Sequence, residues 1–343
     1  MEVINFEKEC VMEERNIKKL VSENYNLEVK SIEKVKNTYK VNAKEGRYCI
    51  KVIKYEFSHF YFILSAIIHL QKRGFNKIPE LLKSKKGEYY IEFFGNYAYL
   101  TKWISARESN FDNPIELEKV SQKLAELHQC SEGFSLTKDM KPRIGWFSWI
   151  DVFNTRKNEI LDFKNRINQK TYKSKFDNLY LSCIEEEIER ADRSIQGLQA
   201  SKYIAVMEKE MLKRGFCHHD YANHNILFDE KAEIYLIDFD YCIMDSHIHD
   251  LSSLLIRAMK NGKWNVKKGE SIINNYSEIK NVQQEELSLM KEFIRYPQMF
   301  WQLGIQMYWE QQPWKEEFSL SRLSKYVEDR EERETFIKEF FPK

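Results

Sequence analysis

Apolar positions change their period along this 343-residue chain. A helical repeat over residues 11–25 is followed by short β-branched and aromatic runs, residues 32–42 and 47–55, which predict two paired strands with Gly46 closing the turn. Residues 57–70 form the longest apolar run. Ser58, His59, Ser65 and His69 interrupt it and it is too short for an ordinary membrane span, so a buried helix is expected. Residues 89–94 and 97–103 predict another strand pair turning at Gly95-Asn96. From there on apolar residues recur at helical spacing over 115–128, 174–194 and 203–214. Trp146, Phe147 and Trp149 are expected to pack against these helices, from a flexible start at Gly145. A hairpin follows, with strands at 226–228 and 233–237 around a polar turn at 229–232. His249-Asp250-Leu251 opens a further apolar helix, and residues 287–309 present a long aromatic face on which Trp301, Tyr308 and Trp309 are expected in the core or a cleft wall. The dense charge of residues 328–343, with Phe336, Phe340 and Phe341, is that of an amphipathic helix.

This order predicts an α+β chain of two lobes, a small β-rich N-lobe over residues 1–100 and a larger helical C-lobe over 101–343 carrying the hairpin. The length exceeds one small core, and 43% hydrophobic with 31% charged residues describes a folded rather than a disordered chain. A net charge of +1 gives no broad basic field, so nucleic acid is not an expected partner. The six cysteines, at 10, 49, 130, 183, 217 and 242, contain no C-x-x-C pair and suit a reducing compartment. Acidic residues in positions 1–9 stand where a secretory signal needs a basic flank, so cytoplasmic synthesis is expected.

The chemistry concentrates in residues 218–240. His218-His219-Asp220-Tyr221-Ala222-Asn223-His224-Asn225 reads H-x-D-x-x-x-x-N, and the hairpin after it returns a carboxylate, Asp238, to the neighbourhood of Asn225. Phosphoryl transfer needs a carboxylate at the acceptor hydroxyl and oxygen ligands for Mg²⁺, roles that Asp220, Asn225 and Asp238 fit in that order. Lys51, inside the strand between Ile50 and Val52, is placed to contact ATP phosphates, with Lys54 the competing assignment. Residues 100–104 suit a connector whose backbone meets adenine, Leu100 and Lys102 being its nucleotide contacts. Two usual parts are missing. Residues 33–39 contain no glycine for a phosphate-cradling loop, and residues 57–71 contain no glutamate to orient Lys51, Glu56 standing before that helix. Cys217, His218 and His219 also invite nucleophile or metal readings, without an obvious ligand set.

The segments His218–Leu227 and Ile237–Asp240, supported by Tyr99–Ile104 and Leu124–His128, resemble those of the CotS-like spore coat proteins. These form a branch of the aminoglycoside phosphotransferase and choline kinase-like superfamily. The resemblance spans about residues 30–320 and implies a bilobal protein kinase-like fold with ATP between the lobes. It implies Asp220 as catalytic base, Asn225 and Asp238 as Mg²⁺ ligands, Lys51 on phosphate, and His218 and Asp250 as structural support. Asp240 replaces the glycine of a protein-kinase D-F-G element, which fits a small-molecule kinase better, and His219 stands where glycine is common. The resemblance further implies deposition in the bacterial spore coat, with coat proteins as partners. The acceptor is either a small hydroxylated molecule or absent, the latter in a catalytically inactive coat protein.

Overall fold

The computed structural model describes residues 14–310 and 316–341, and contacts divide the chain into two compact units. The first comprises residues 1–109, 134–142 and 223–241; the second comprises 110–133, 143–222 and 242–343. The hairpin bearing Asn225 and Asp238 therefore packs with the N-terminal strands. The acidic start, Cys10, the first three residues of the predicted N-terminal helix and Trp314 lie outside the described residues.

In the first unit, α1 (residues 14–24) precedes an antiparallel sheet. Its strands are β1 (Val29–Val35), β2 (Thr38–Ala43), β3 (Gly46–Ile53), β4 (Leu81–Leu82), β5 (Ile91–Phe93) and β6 (Asn96–Lys102), in the order β1-β2-β3-β6-β4, with β5 also on β6. The single strand predicted over 32–42 is in fact two. The chain reverses after Lys36, whose φ of 51° is the left-handed geometry of a tight hairpin, and Val35 pairs with Thr38. Both arms are β-rich, so nothing apolar marks the break; only Lys36-Asn37 does. Gly46 (φ 147°) closes the next hairpin opposite Ala43, as the sequence predicts.

Period-two alternation then sorts the side chains. Tyr48, Ile50, Ala98 and Leu100 join Ile17, Leu20 and Val21 of α1 in one apolar cluster. Lys51 and its strand partner Tyr99 point to the opposite face. There α2 (Phe57–Lys72) packs Phe60 against Tyr97, ring centroids 5.2 Å apart, and buries Phe62, Ile63, Leu64, Ala66, Ile67 and Leu70. A second sheet of β7 (Ala106–Glu108), β8 (Ile226–Asp229) and β9 (Ile234–Leu236) carries the hairpin, and Leu236 N donates to Lys77 O at 2.8 Å.

The second unit is helical: α3 (Pro114–Ser131), α4 (Trp149–Asn168), α5 (Lys175–Ala200), α6 (Tyr203–Lys213), α7 (Ile248–Met259), α8 (Val266–Ser277), α9 (Gln284–Arg295), α10 (Gln298–Gly304), α11 (Glu316–Glu328) and α12 (Arg330–Phe340). Ser174 caps α5 in a reciprocal capping box with Asp177, satisfying amides that the first turn leaves open. Phe163, Phe176, Tyr180, Phe300 and Tyr308 form the centre of one core, with Tyr180 stacked on Phe300 at 3.9 Å. The predicted aromatic stretch 287–309 is not one helix: Pro297 separates α9 from α10, and a π-helical turn, Ile305–Trp309, follows. Tyr308 is buried as expected, whereas Trp309 is 45% exposed, its indole donating to Asp162. Gly145 is required for close approach rather than flexibility, because a Cβ there would lie 2.3 Å from Asp245 Oδ2.

Candidate active site

The first unit gathers three charged residues that the sequence separates by nearly two hundred positions. Lys51 Nζ lies 2.7 Å from Asp238 Oδ1 and 2.6 Å from Asp240 Oδ1, with 10% of the lysine side chain exposed. Burial opposes the ammonium charge, but the surrounding Tyr99, Asp240 and Asp238 outweigh it and hold the lysine firmly protonated. Asp238 has φ 67°, a left-handed position just past β9, where the chain leaves the strand. Ile237 N donates to Asn225 O at 3.0 Å, so the backbone beside Asp238 is tied to the one-turn helix Asn223–Asn225 that carries the buried Asn225. Both carboxylates are hard oxygen donors.

Other residues singled out in the sequence lie elsewhere. Lys54 is exposed beyond the end of β3. Leu100 is fully buried in the apolar cluster with α1, paired with Ile50 on one side and Leu82 on the other. Lys102, two residues on, shares that face and forms an exposed ion pair with Glu80. The side chains of Leu100 and Lys102 are thus not brought to the face that carries Lys51. Glu56 pairs with Lys141 at the surface, and the carboxylates on Lys51 come from the hairpin instead. Sequence reasoning noted Asp240 only as a departure from glycine and missed it as a partner of Lys51.

The second unit holds Asp220, whose Oδ1 accepts from Arg257 Nη2 of α7 at 2.8 Å. Arg257 was not singled out by any motif. Just before Asp220 the chain turns at His219 with φ 67°, the conformation in which glycine is easiest, so the unusual histidine occupies a glycine-like backbone. The turn is held by Asp250. Its fully buried carboxylate accepts from His218 N at 2.7 Å and His219 N at 2.8 Å, and His128 Nε2 lies 3.2 Å away. Burial alone would push the Asp250 carboxyl up; the His128 hydrogen bond and the neighbouring imidazoles outweigh it and hold it well below the usual carboxylate range. Tyr221, also fully buried, fixes the loop from the other side by donating to Val120 O at 2.8 Å. Cys217 donates to Ser246 O at 3.2 Å, and burial pushes its thiol well up, which leaves no thiolate for nucleophilic chemistry.

Behind Asp250 runs a buried line of polar groups. A carboxylate only accepts, so Nε2 of His128 carries the hydrogen toward Asp250 and Nδ1 accepts from the Tyr276 hydroxyl at 2.7 Å. Tyr276 Oη is in turn 3.0 Å from His247 Nδ1, and His247 Nε2 is 3.1 Å from Glu286 Oε1. Burial pushes His128 down to about 4 and His219 down to about 3, the latter also through His249, Arg143 and Arg156. Both imidazoles fold neutral, whereas unfolded histidine titrates near 6.5. Their contribution to stability is therefore complete above pH 6.5 and is lost as pH falls toward 4 and then 3. Asp250 has the same sign lower down, present above about pH 4 and lost as its folded pKa is approached. The unfolding free energy from denaturant titration is expected to be flat above pH 7 and to fall by roughly several kcal/mol between pH 6.5 and 4; an unchanged value over that interval would contradict the neutral assignment.

Comparison with known proteins bears on the fold and the family. The chain is similar to the aminoglycoside phosphotransferase of Alicyclobacillus acidocaldarius, with TM-score 0.82 and 22% identity over 94% of each chain. It is similar to a spectinomycin phosphotransferase solved with ADP and spectinomycin, with TM-score 0.68 and 15% identity over 95% of this chain and 98% of that one. These likenesses establish the kinase-like fold. A homoserine kinase of Agrobacterium fabrum is 24% identical over 67% of this chain, which spans 63% of that relative's length. The model described as "Spore coat putative kinase YutH" matches residues 18–340, nearly the whole described chain, and agrees with the CotS-like resemblance carried by the motifs. The chain belongs to this spore coat kinase family.

Proposed function

We propose that the protein is a spore coat-associated, ATP-dependent phosphotransferase acting on a small hydroxylated metabolite or sugar. The observation that supports this most is the Lys51 ammonium against Asp238 and Asp240, a cation for phosphate oxygens beside carboxylates for a metal. Asn225 and Asp238 would hold Mg²⁺; their hard oxygens fit it. When bound, the ion would neutralise phosphate charge and favour departure of ADP. Lys51 would turn from its carboxylates to the nucleotide phosphates. Asp220 would take the proton of the acceptor hydroxyl as its oxygen bonds to the γ-phosphorus. The bond from that phosphorus to the β,γ-bridging oxygen breaks, and its electron pair leaves with ADP.

Calorimetric titration of Mg·ATP into the native protein and into Lys51→Ala and Asp238→Ala variants tests the nucleotide part. Both substitutions are expected to weaken binding at least tenfold, since each removes a charge-assisted contact worth roughly 1.5–3 kcal/mol. Equal affinity in folded variants would remove both residues from the site. A second reading, an inactive coat protein, is favoured by the glycine-free β1–β2 hairpin and by a lysine already engaged with two carboxylates. That reading predicts no native Mg·ATP binding and retained coat association.

A further inference from the structure

We infer that the acceptor carries an anionic group, a carboxylate or phosphate, beside its hydroxyl, and that Arg257 is the residue that recognises it. This rests on the phosphotransferase reading above, with Asp220 at the acceptor hydroxyl. Arg257 projects from α7 onto Asp220 through Nη2 alone. A guanidinium has five N–H donors, so the bond to Asp220 leaves four for a second oxyanion, in a planar fork matched to carboxylate or phosphate. The pair is partly open, with 32% of the arginine and 25% of the aspartate side chain exposed, as a ligand contact requires.

The charges around this pair in the same unit are mainly cationic. Lys260 caps the C-terminal end of α7, and its ammonium is destabilised by burial and then by Arg257 and Arg322. On the other side of the loop, Arg143 and Arg156 act on the His219 imidazole next to Asp220. Arg156 is fixed there, its guanidinium 4.3 Å from the Trp301 ring centre and its Nη1 donating to Gln298 at 2.7 Å. The nearby acids are already committed, Glu126, which acts on Tyr221, being paired with Lys123. Asp250 accepts from the loop amides, and buried Asp245 accepts from Trp149, Ser246 N and His249. An acceptor bearing an ammonium would meet like charge there, whereas an acid would gain an ion pair.

The test measures acceptor-dependent ADP release with Mg·ATP for three sets of small alcohols. Glycerate and glycerol phosphate are the acids, glycerol is neutral, and ethanolamine and choline are the amines. The expected result is turnover of at least one acid with no amine preferred. Arg257→Gln is expected to raise the KM for that acid roughly ten- to a hundredfold, the loss of one charged contact. The change in KM for glycerol should be much smaller than for the acid, and Arg257→Lys should recover part of the loss. Glycerate against glycerol phosphate separates the two anion types. Three results would overturn the inference while leaving the phosphotransferase intact: preference for an amine, an acid KM indifferent to Arg257→Gln, or turnover of glycerol or an amine with turnover of neither acid. Failure of the native protein to bind Mg·ATP would instead remove the reading on which it rests. Thermal midpoints of both variants matching the native value confirm that folding is not what is measured.

Discussion

Asp220→Asn is expected to lower phosphotransfer kcat by about 10²–10⁴-fold, the usual worth of a positioned general base. Native-like Mg·ATP binding should remain. The replacement is nearly isosteric, and its amide oxygen still accepts from Arg257, so the guanidinium keeps a partner. What is lost is the ability to hold the proton that the acceptor hydroxyl gives up. The cost in folding is small because the Asp220–Arg257 pair is partly exposed, and such pairs contribute at most about 1 kcal/mol. Acceptor-dependent ADP release measured beside a thermal midpoint separates the two effects. Native kcat in the variant would remove Asp220 from proton transfer, and a collapsed midpoint would give the residue a structural role instead.

The local parts of the proposed site were legible in the sequence. The spacing from Asp220 to Asn225 and the hairpin to Asp238 are set by a few consecutive residues, so turn chemistry and strand alternation suffice to read them. Lys51 was legible for the same reason, as a charge at a strand position between two apolar neighbours. Other features depend on the tertiary structure. The pairing of Lys51 with Asp240 joins residues 189 positions apart, and nothing in either neighbourhood announces it. Arg257 lies on a helix whose apolar face was recognised, but its polar face looks like any solvated face until the fold directs it at Asp220. Leu100, read as a nucleotide contact through the connector backbone, has a side chain whose direction the sequence did not give. Strand alternation puts it on the same face as Ile50 and opposite Lys51, a step that counting residues along β3 and β6 permits only once their register is known. The helix α4 was missed because its first residue, Trp149, was read with Trp146 and Phe147 as an aromatic cluster rather than as the start of a helical repeat.

Asp250 was assigned a bracing role by resemblance, and the geometry makes that role measurable. Its carboxylate accepts two backbone amides and faces the His128 ring with no water-exposed side. Asp250→Ala would leave those donors buried without a partner, and each orphan costs about 1–3 kcal/mol. Since His128 can turn toward other acceptors, the expected total is roughly 3–5 kcal/mol, the range for breaking a buried charged cluster from one side. Asp250→Asn should fare little better, because its amide presents N–H to one of the donors where an oxygen is needed. The loop residues affected directly precede Asp220, so kcat should fall together with stability, unlike in Asp220→Asn. Guanidinium denaturation at pH 7.5 and again at pH 4 measures this. The variant should lose most of its stability at pH 7.5 and nearly as much at pH 4, because the native carboxylate is still ionised there and forfeits its contribution only as the pH falls further. A loss under 1 kcal/mol at pH 7.5 would mean that water or another group satisfies the His218 and His219 amides, and that the turn ahead of Asp220 is held by Tyr221 and its bond to Val120 instead.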